Sequence, residues 1–309
     1  GVSSGFNDQG WMASRAAANR LRPTAVIDGV SATGNRVILA VAQFSQNDGG
    51  SASDSGIWRK EITTAPATGS WVQVETAAFT QRTVQNTQRS KFFWPNSSTN
   101  PVVYTYDRKQ GKLWRSKDRG LNWTVIWSPP AGEVSGTPWS GHMAGATPSL
   151  VYVSTDKNVY RIENADSSPN AVSLNRPSGL TAPGPIAIDD DGWLYVTQRN
   201  GNSAIKTGLW RYDMAATSNV AADWDNLTTN EFLGKVAFPQ SFDVITEGAK
   251  KTLLIDCWGN GLYIGEATDM PPAQDKFAEN FENNGTPVAV GTVISSSNSS
   301  FTAVTGSPT

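Results

Sequence analysis

The sequence is poor in the residues that most often build metal and disulfide sites. Its 309 residues include one cysteine, Cys257, and one histidine, His142. A single cysteine excludes a disulfide within the chain. With only one histidine and one cysteine, the chain cannot build a zinc site from those two kinds of ligand. A Ser-His-Asp triad would have to use His142, and the G-x-S-x-G pattern is absent. We therefore predict no metal and no cofactor.

Charged residues and long apolar runs are also scarce. Charged residues make up 17% of the chain and the net charge is −2, which gives no electrostatic basis for binding nucleic acid or an anionic membrane surface. No apolar run approaches the ~18 residues of a membrane-spanning helix, and no signal peptide is visible at Gly1. Low charge with abundant Ser, Thr, Asn and Gly predicts an extracellular or periplasmic protein.

Aromatic residues and turn formers are plentiful instead. The chain has 12 Trp, 7 Tyr and 11 Phe, together with 28 Gly and 17 Pro. The aromatic residues provide a substantial core, and the Gly and Pro content is typical of β proteins with many turns. The length suffices for one large all-β domain.

A short apolar strand followed by a strand with an aliphatic-aromatic pair recurs five times, and glycine precedes the pair in three copies. The aromatic residue of the second strand falls at 58, 114, 160, 210 and 263, so successive copies are 56, 46, 50 and 53 residues apart. Repeats of roughly this length, each with several short strands, predict a β-propeller. An arginine follows the aromatic residue in four copies, and we expect it to reach the rim or to pair with a carboxylate.

We predict an all-β fold consisting of a single β-propeller. Five blades are clear between residues 24 and 265, and residues 1–276 are assigned to the propeller core. Residues 277–309 form a C-terminal segment, for which we favour a sixth blade closed by strands from both ends of the chain. The alternative is the start of another β module, which would imply further domains in a longer chain.

One hairpin carries a distinct turn pattern. Within residues 112–123, Ser116, Asp118, Gly120 and Trp123 fit the pattern S-x-D-x-G-x-x-W. Ser and Asp side chains bond the backbone N–H groups of a turn, and glycine accepts the positive φ that closes it. The pattern resembles the Asp-box, or BNR repeat, of sialidase-like β-propellers, and residues 56–71 are also similar to xyloglucanase-type propellers. The resemblance implies a propeller that acts on glycans.

Propellers bind ligands at the mouth of the central channel, where inner strands and their loops converge. Aromatic faces and planar polar groups suit sugar rings, and glycoside hydrolysis needs two carboxyl groups that flank the bond. Asp28 and Asp243 are the predicted catalytic acids, with Glu133 and Asp256 as other acids near the mouth. The predicted ligand-binding residues are Arg22, Arg89, Trp139, His142 and Gln240.

The sequence favours a secreted propeller that binds or cleaves a polysaccharide or oligosaccharide, as a glycoside hydrolase or lyase. The alternative is a non-catalytic module for adhesion, lectin-like binding or scaffolding. A third hypothesis, a lactonase-like propeller with calcium, rests on the mouth acids alone. Three acids at residues 189–191 precede Gly192, and a tight hairpin turn is favoured over a calcium site there.

Overall fold

The protein folds as a series of antiparallel β-sheets. The computed structural model describes residues 21–44, 55–63, 70–76, 91–108, 110–134, 141–198, 208–216, 218–228, 236, 239–248, 250–257, 261–268, 293–296 and 299–302. The chain divides into two compact units, residues 1–173 and 174–309.

The first unit contains twelve described strands. They are β1 (Leu21–Val30), β2 (Arg36–Phe44), β3 (Gly56–Ile62), β4 (Val72–Glu75), β5 (Phe92–Phe93), β6 (Val103–Asp107), β7 (Lys112–Ser116), β8 (Thr124–Trp127), β9 (His142–Thr147), β10 (Leu150–Ser154), β11 (Val159–Glu163) and β12 (Asn170–Ser173). They form three four-stranded sheets in which consecutive strands are neighbours.

The second unit contains the remaining strands. They are β13 (Pro183–Ile188), β14 (Trp193–Gln198), β15 (Gly208–Asp213), β16 (Trp224–Asn226), β17 (Pro239–Glu247), β18 (Lys250–Cys257), β19 (Gly261–Thr268), β20 (Val293–Ser296) and β21 (Ser299–Thr302). Strands β13–β16 form a four-stranded sheet, β17–β19 a three-stranded sheet and β20–β21 a hairpin. A single turn of 3-10 helix, Ala221–Asp223, precedes β16.

The predicted fold class is confirmed as an all-β propeller with five blades, three in the first unit and two in the second. Beyond β19, the described part of the chain contains only the hairpin β20–β21. A sixth blade therefore stays a prediction, as does the domain division at residue 276. Among the described residues, no helix is long and apolar enough to span a bilayer.

The five aromatic residues of the repeat occupy equivalent places. Each lies on the third strand of its sheet, and each is paired with a residue of the second strand, as Trp58 is with Ala40 and Tyr263 with Ile255. The aliphatic residue before the aromatic points to the opposite face, because side chains alternate along a strand. This alternation gives each blade one face with the aromatic residue and one with the aliphatic residue.

The two faces contact different neighbours. Between the first two sheets, Ile57 of one blade packs in the same core as Trp114 of the next. Between the next two, Leu113 shares a core with Tyr160. In each case the aliphatic residue faces the following sheet and the aromatic residue faces the preceding one, so one short sequence motif connects the three blades of the first unit.

The cores are built mainly from the second and third strands. In the second unit, Leu209 of β15 packs with Leu253 and Ile255 of β18, and Tyr263 of β19 packs against this group. Phe242 of β17 and Tyr195 of β14 make an edge-on ring contact with centroids 6.2 Å apart. Strands β13 and β17 therefore belong to two sheets that share one core.

The S-x-D-x-G-x-x-W stretch forms the tight turn that its sequence predicts. Ser116 Oγ accepts bonds from the N–H groups of Asp118 (3.3 Å) and Gly120 (2.9 Å), and Gly120 has a φ of +82°. The Asp118 carboxylate accepts a bond from the N–H of Asn122 at 2.8 Å. Trp123 closes the turn by donating to the carbonyl of Gly120 at 3.2 Å. The side chains thus satisfy the turn's own backbone.

Candidate functional site

The two predicted catalytic acids lie on exposed sheet surfaces, one in each compact unit. Asp28 lies on β1 and pairs with Arg36 of β2, with Nη2 and Oδ2 2.7 Å apart. The Asp28 side chain is 54% exposed. Asp243 lies on β17, opposite Leu254 of β18, and is also exposed. Their catalytic role stays a prediction.

The predicted ligand-binding residues fall into three groups. His142 begins β9 and is buried, and its backbone N–H donates to Ser154 Oγ at 3.1 Å. Gln240 is buried on β17. Arg22 lies on β1, but its side chain is outside the described part of the structure, as are Arg89 and Trp139 entirely.

In the first unit, polar side chains lie at one end of the second and third sheets. This end carries the β6–β7 turn of the second sheet and the β10–β11 turn of the third. His142 starts its strand at this same end, because it is paired with Ser154, the last residue of β10. We call the group the hairpin-end cluster and define it by Tyr106, Asp107, Arg108, Glu133, Asp156 and Tyr160. It brings Glu133, one of the acids noted in the sequence, close to the first residues of β9.

Glu133 lies between β8 and β9 and is held by three side-chain donors. Its Oε1 accepts bonds from Asn158 Nδ2 and Tyr160 Oη, both at 2.8 Å. Its Oε2 accepts from Thr155 Oγ1 at 3.0 Å, and its carbonyl accepts from the N–H of Asp156 at 2.9 Å. These bonds fix the carboxylate on the β10–β11 turn. Burial and the bond to Glu133 raise the pKa of Tyr160 to about 12, so Tyr160 remains a donor at neutral pH.

The cluster extends into the protein interior. Tyr106, Asp107 and Arg108 are each at most 1% exposed, whereas Glu133 and Asp156 are half-buried. Asp107 Oδ1 accepts a bond from the N–H of Gln110 at 3.1 Å, which closes the β6–β7 turn. Asp107 and Arg108 are thus adjacent charged residues that are both fully buried, which is unusual for charged side chains.

An aromatic surface borders the cluster. Trp127, the last residue of β8, is half-buried, and its ring lies 5.1 Å from the ring of Tyr160 at an angle of 51°. Aromatic faces beside fixed carboxylates are suited to a ligand that is both apolar and rich in hydroxyl groups. The cluster therefore combines the two kinds of group that the sequence led us to seek at a sugar-binding site.

The acids at residues 189–191 do not form a cation site. The Asp189 carboxylate accepts bonds from the N–H groups of Asp191 and Trp193 and from Tyr195 Oη. Lys251 Nζ lies 3.5 Å from Asp189 Oδ2 and also bonds Asp191 Oδ2. The ammonium supplies the positive charge there, and no metal-binding group of three acids, His or Cys occurs in the described ranges.

The repeated arginine has structural partners. Arg59 pairs with Glu61 at 2.9 Å, Arg161 with Glu163 at 2.8 Å, and Arg211 with Asp225 at 2.8 Å. In the remaining copy, Arg115 donates to the carbonyl of Ala165 at 2.6 Å. Two of the ion pairs lie within one strand, that of Arg211 joins β15 to β16, and the Arg115 bond connects β7 to the turn after β11 of the next sheet.

With this architecture, the chain is a β-propeller. No protein-family model and no curated relative matches the sequence. Among solved structures, the GH74 xyloglucanase of Xanthomonas campestris is 14% identical with a TM-score of 0.50, over 80% of this chain and 37% of that one. The Niastella koreensis GH74 enzyme is 15% identical with a TM-score of 0.48, over 79% and 38%.

The similar solved structures also include a nidogen/laminin complex, which is 11% identical with a TM-score of 0.47, over 75% of this chain and 71% of that one. The chain thus spans little more than a third of the length of the two GH74 enzymes. At these identities the likeness defines the fold alone, and Asp-box family membership stays a prediction.

Sequence reasoning missed the buried part of the cluster. Tyr106 and Arg108 lie at the end of an apolar strand, where an aromatic and a basic residue usually complete a core strand and begin a turn. Residues 106–110 gave the available signal. They place several polar groups directly after the apolar strand, in a turn that is too short to be a flexible loop. Tyr106 packs in one core with Met143 and Val153 of the neighbouring sheet, a contact that a local pattern does not report.

Proposed function

We propose that this protein is a glycan-binding β-propeller that acts in an extracellular or periplasmic compartment. The observation that carries the proposal is the hairpin-end cluster, where a carboxylate fixed by three donors lies beside the buried ring of Tyr160 and the half-buried ring of Trp127. Sugar rings stack on aromatic faces, and their hydroxyl groups donate to fixed carboxylates. The GH74 neighbours are consistent with a propeller scaffold that can carry a sugar site.

A glycan array with the full chain tests the proposal, followed by calorimetric titration of any glycan that binds. Glu133→Gln and Trp127→Ala are expected to weaken binding at least about tenfold, because each removes one half of the recognition surface. Glu163→Gln is the matched control, since Glu163 lies on the far end of the same strand as Tyr160 and pairs with Arg161. No response to any glycan would refute the proposal.

Cleavage is a separate and finer prediction. A reducing-sugar assay on the bound glycan, repeated with Asp28→Asn and Asp243→Asn, distinguishes an enzyme from a lectin-like module. Loss of turnover with retained binding in either variant would support a glycoside hydrolase or lyase. Binding without turnover, unchanged in both variants, would leave the non-catalytic function.

A further inference from the structure

The hydroxyl group of Tyr106 is a buried polar group without a hydrogen-bond partner among the residues that the structure describes. Its side chain is 1% exposed. Buried hydroxyl groups almost always have a partner, and an orphan costs stability that a bound molecule can restore. This group therefore requires an explanation that core packing does not supply.

The Tyr106 ring packs in the apolar core with Met143 and Val153, and charged groups of the hairpin-end cluster act on its hydroxyl. Burial, followed by the nearby charges of Asp107, Asp156 and Glu133, raises the pKa of Tyr106, with Arg108 acting in the opposite direction. The hydroxyl consequently stays protonated and able to donate. A side chain at Gly141, whose φ is +75°, would meet the Tyr106 ring at 2.4 Å and its oxygen at 2.9 Å. Glycine at this position is what lets the phenol end reach the start of β9.

The residues around this end of the sheets lie at different depths. Lys157 is exposed, Asp156 and Glu133 are half-buried, and Tyr106 is fully buried. The cluster contains three carboxylates and one buried guanidinium, so its net charge is negative. An anionic ligand would be repelled, whereas a neutral polyol offers hydroxyl groups that donate to carboxylates and an oxygen that accepts from a phenol.

We propose that the Tyr106 hydroxyl is a ligand-binding group that donates a hydrogen bond to an oxygen of a neutral sugar held by the hairpin-end cluster. The inference rests on the proposed function and adds two statements to it. The first is that Tyr106 contributes to affinity and not to the stability of the unliganded protein. The second is that the preferred glycans are uncharged.

Tyr106→Phe in the full chain tests the first statement, with Tyr104→Phe as a matched control. Tyr104 lies two residues earlier on β6 and is equally buried, but its hydroxyl donates to the carbonyl of Pro148 at 2.5 Å. We expect Tyr106→Phe to leave the melting temperature unchanged or raised and to weaken glycan binding about tenfold. Tyr104→Phe should lower the melting temperature and leave the affinity unchanged.

Cellohexaose, mannohexaose and hexagalacturonate, titrated into the wild-type protein, test the second statement. We expect binding of a neutral hexasaccharide and none of the uronate. Preference for hexagalacturonate would overturn the neutral-sugar inference, and unchanged affinity or a lowered melting temperature in Tyr106→Phe would overturn the role of the hydroxyl. Absence of binding to every glycan on the array would instead overturn the proposed function itself.

Discussion

At the scale of single residues, this protein places its ion pairs at very different depths. The side chains of Lys251 and Asp189 are both fully buried, and their charges lie 3.5 Å apart. Lys250, the adjacent residue, points to the opposite face of β18 and pairs with Glu266 in solvent. Two neighbouring lysines thus provide a direct comparison of a buried and an exposed pair.

Lys251→Met should strongly destabilise the protein. Removing one partner leaves the carboxylate of Asp189 buried with no cation, which costs about 3–5 kcal/mol in the free energy of unfolding. Lys250→Met should have no measurable effect, because solvent already screens that pair. Urea unfolding of both variants measures the difference, and equal stability of the two would contradict a stabilising role for the buried pair.

Glu61 carries a prediction about pH. The bond from Asn35, followed by the contact with Arg59, lowers the pKa of Glu61 to about 2, against the burial that opposes it. A carboxyl group whose pKa is depressed by folding stabilises the protein above its unfolded pKa, and that stability is lost as the pH falls toward 2. With a quarter of the side chain exposed, we expect about 1–2 kcal/mol at neutral pH.

Denaturant unfolding of wild type and Glu61→Gln between pH 7 and pH 2 checks this expectation. The difference between them should be constant above about pH 5 and should shrink progressively below it. Asn35→Ala should remove part of the difference, because Asn35 Nδ2 donates to Glu61 Oε1 at 2.9 Å. A difference that grows as the pH falls would contradict the assigned direction of the pKa shift.

At the scale of secondary-structure elements, the turn after β7 shows what a local pattern can predict. The hydrogen bonds of the Ser116 and Asp118 side chains all have partners within a few residues, so a local pattern suffices to predict the turn. The same turn also has a tertiary role, since Gly120 lies against Leu39 of the preceding sheet. The sequence predicted the first property and gave no sign of the second.

A comparison of Gly120→Ala with Gly34→Ala separates the local conformation of the turn from its packing against the preceding sheet. Both glycines have a φ above +80°, but a Cβ at Gly34 meets nothing within 4 Å, whereas one at Gly120 would lie 2.5 Å from Leu39 Cδ2. We expect Gly34→Ala to cost about 1 kcal/mol from backbone strain and Gly120→Ala to cost about 2 kcal/mol more from overpacking. Thermal or urea unfolding gives both values, and similar losses would show that the packing adapts.

The strands themselves were predictable because of the repeat. Their alternation of apolar and polar residues marked the second and third strand of all five sheets, and the structure has a strand at each. The binding candidates were less predictable. Tyr106 becomes notable only once it packs with Met143 and Val153 of the third sheet, which lie 37 and 47 positions further along the sequence.

At the scale of the whole molecule, the fifth sheet departs from the repeat. The aliphatic residue that precedes the aromatic is fully buried in β3, β7 and β15 but 58% exposed in β19, where it is Leu262. Ile264, which replaces the repeated arginine, is 63% exposed. The repeat predicted five equivalent sheets, but a motif shared in sequence does not determine whether a neighbour covers it.

Leu209→Ala and Leu262→Ala compare the same repeat position in the last two sheets. Leu209 packs in the core with Leu253 and Phe242, so its truncation should lower the free energy of unfolding by about 2–5 kcal/mol. Leu262→Ala should change it by less than about 0.5 kcal/mol, because the side chain is largely exposed. A large loss for Leu262 in urea unfolding would mean that its exposed face is covered in solution.

Cys257 gives the fifth sheet a native chemical reporter. It is the only thiol in the chain and is 4% exposed at the end of β18, within the core formed with Leu253 and Ile255. A maleimide can modify it only when that end of the strand separates from its neighbours, so the labelling rate reports local opening without any substitution. Because no other sulfhydryl competes, mass spectrometry of the intact protein can time that separation directly.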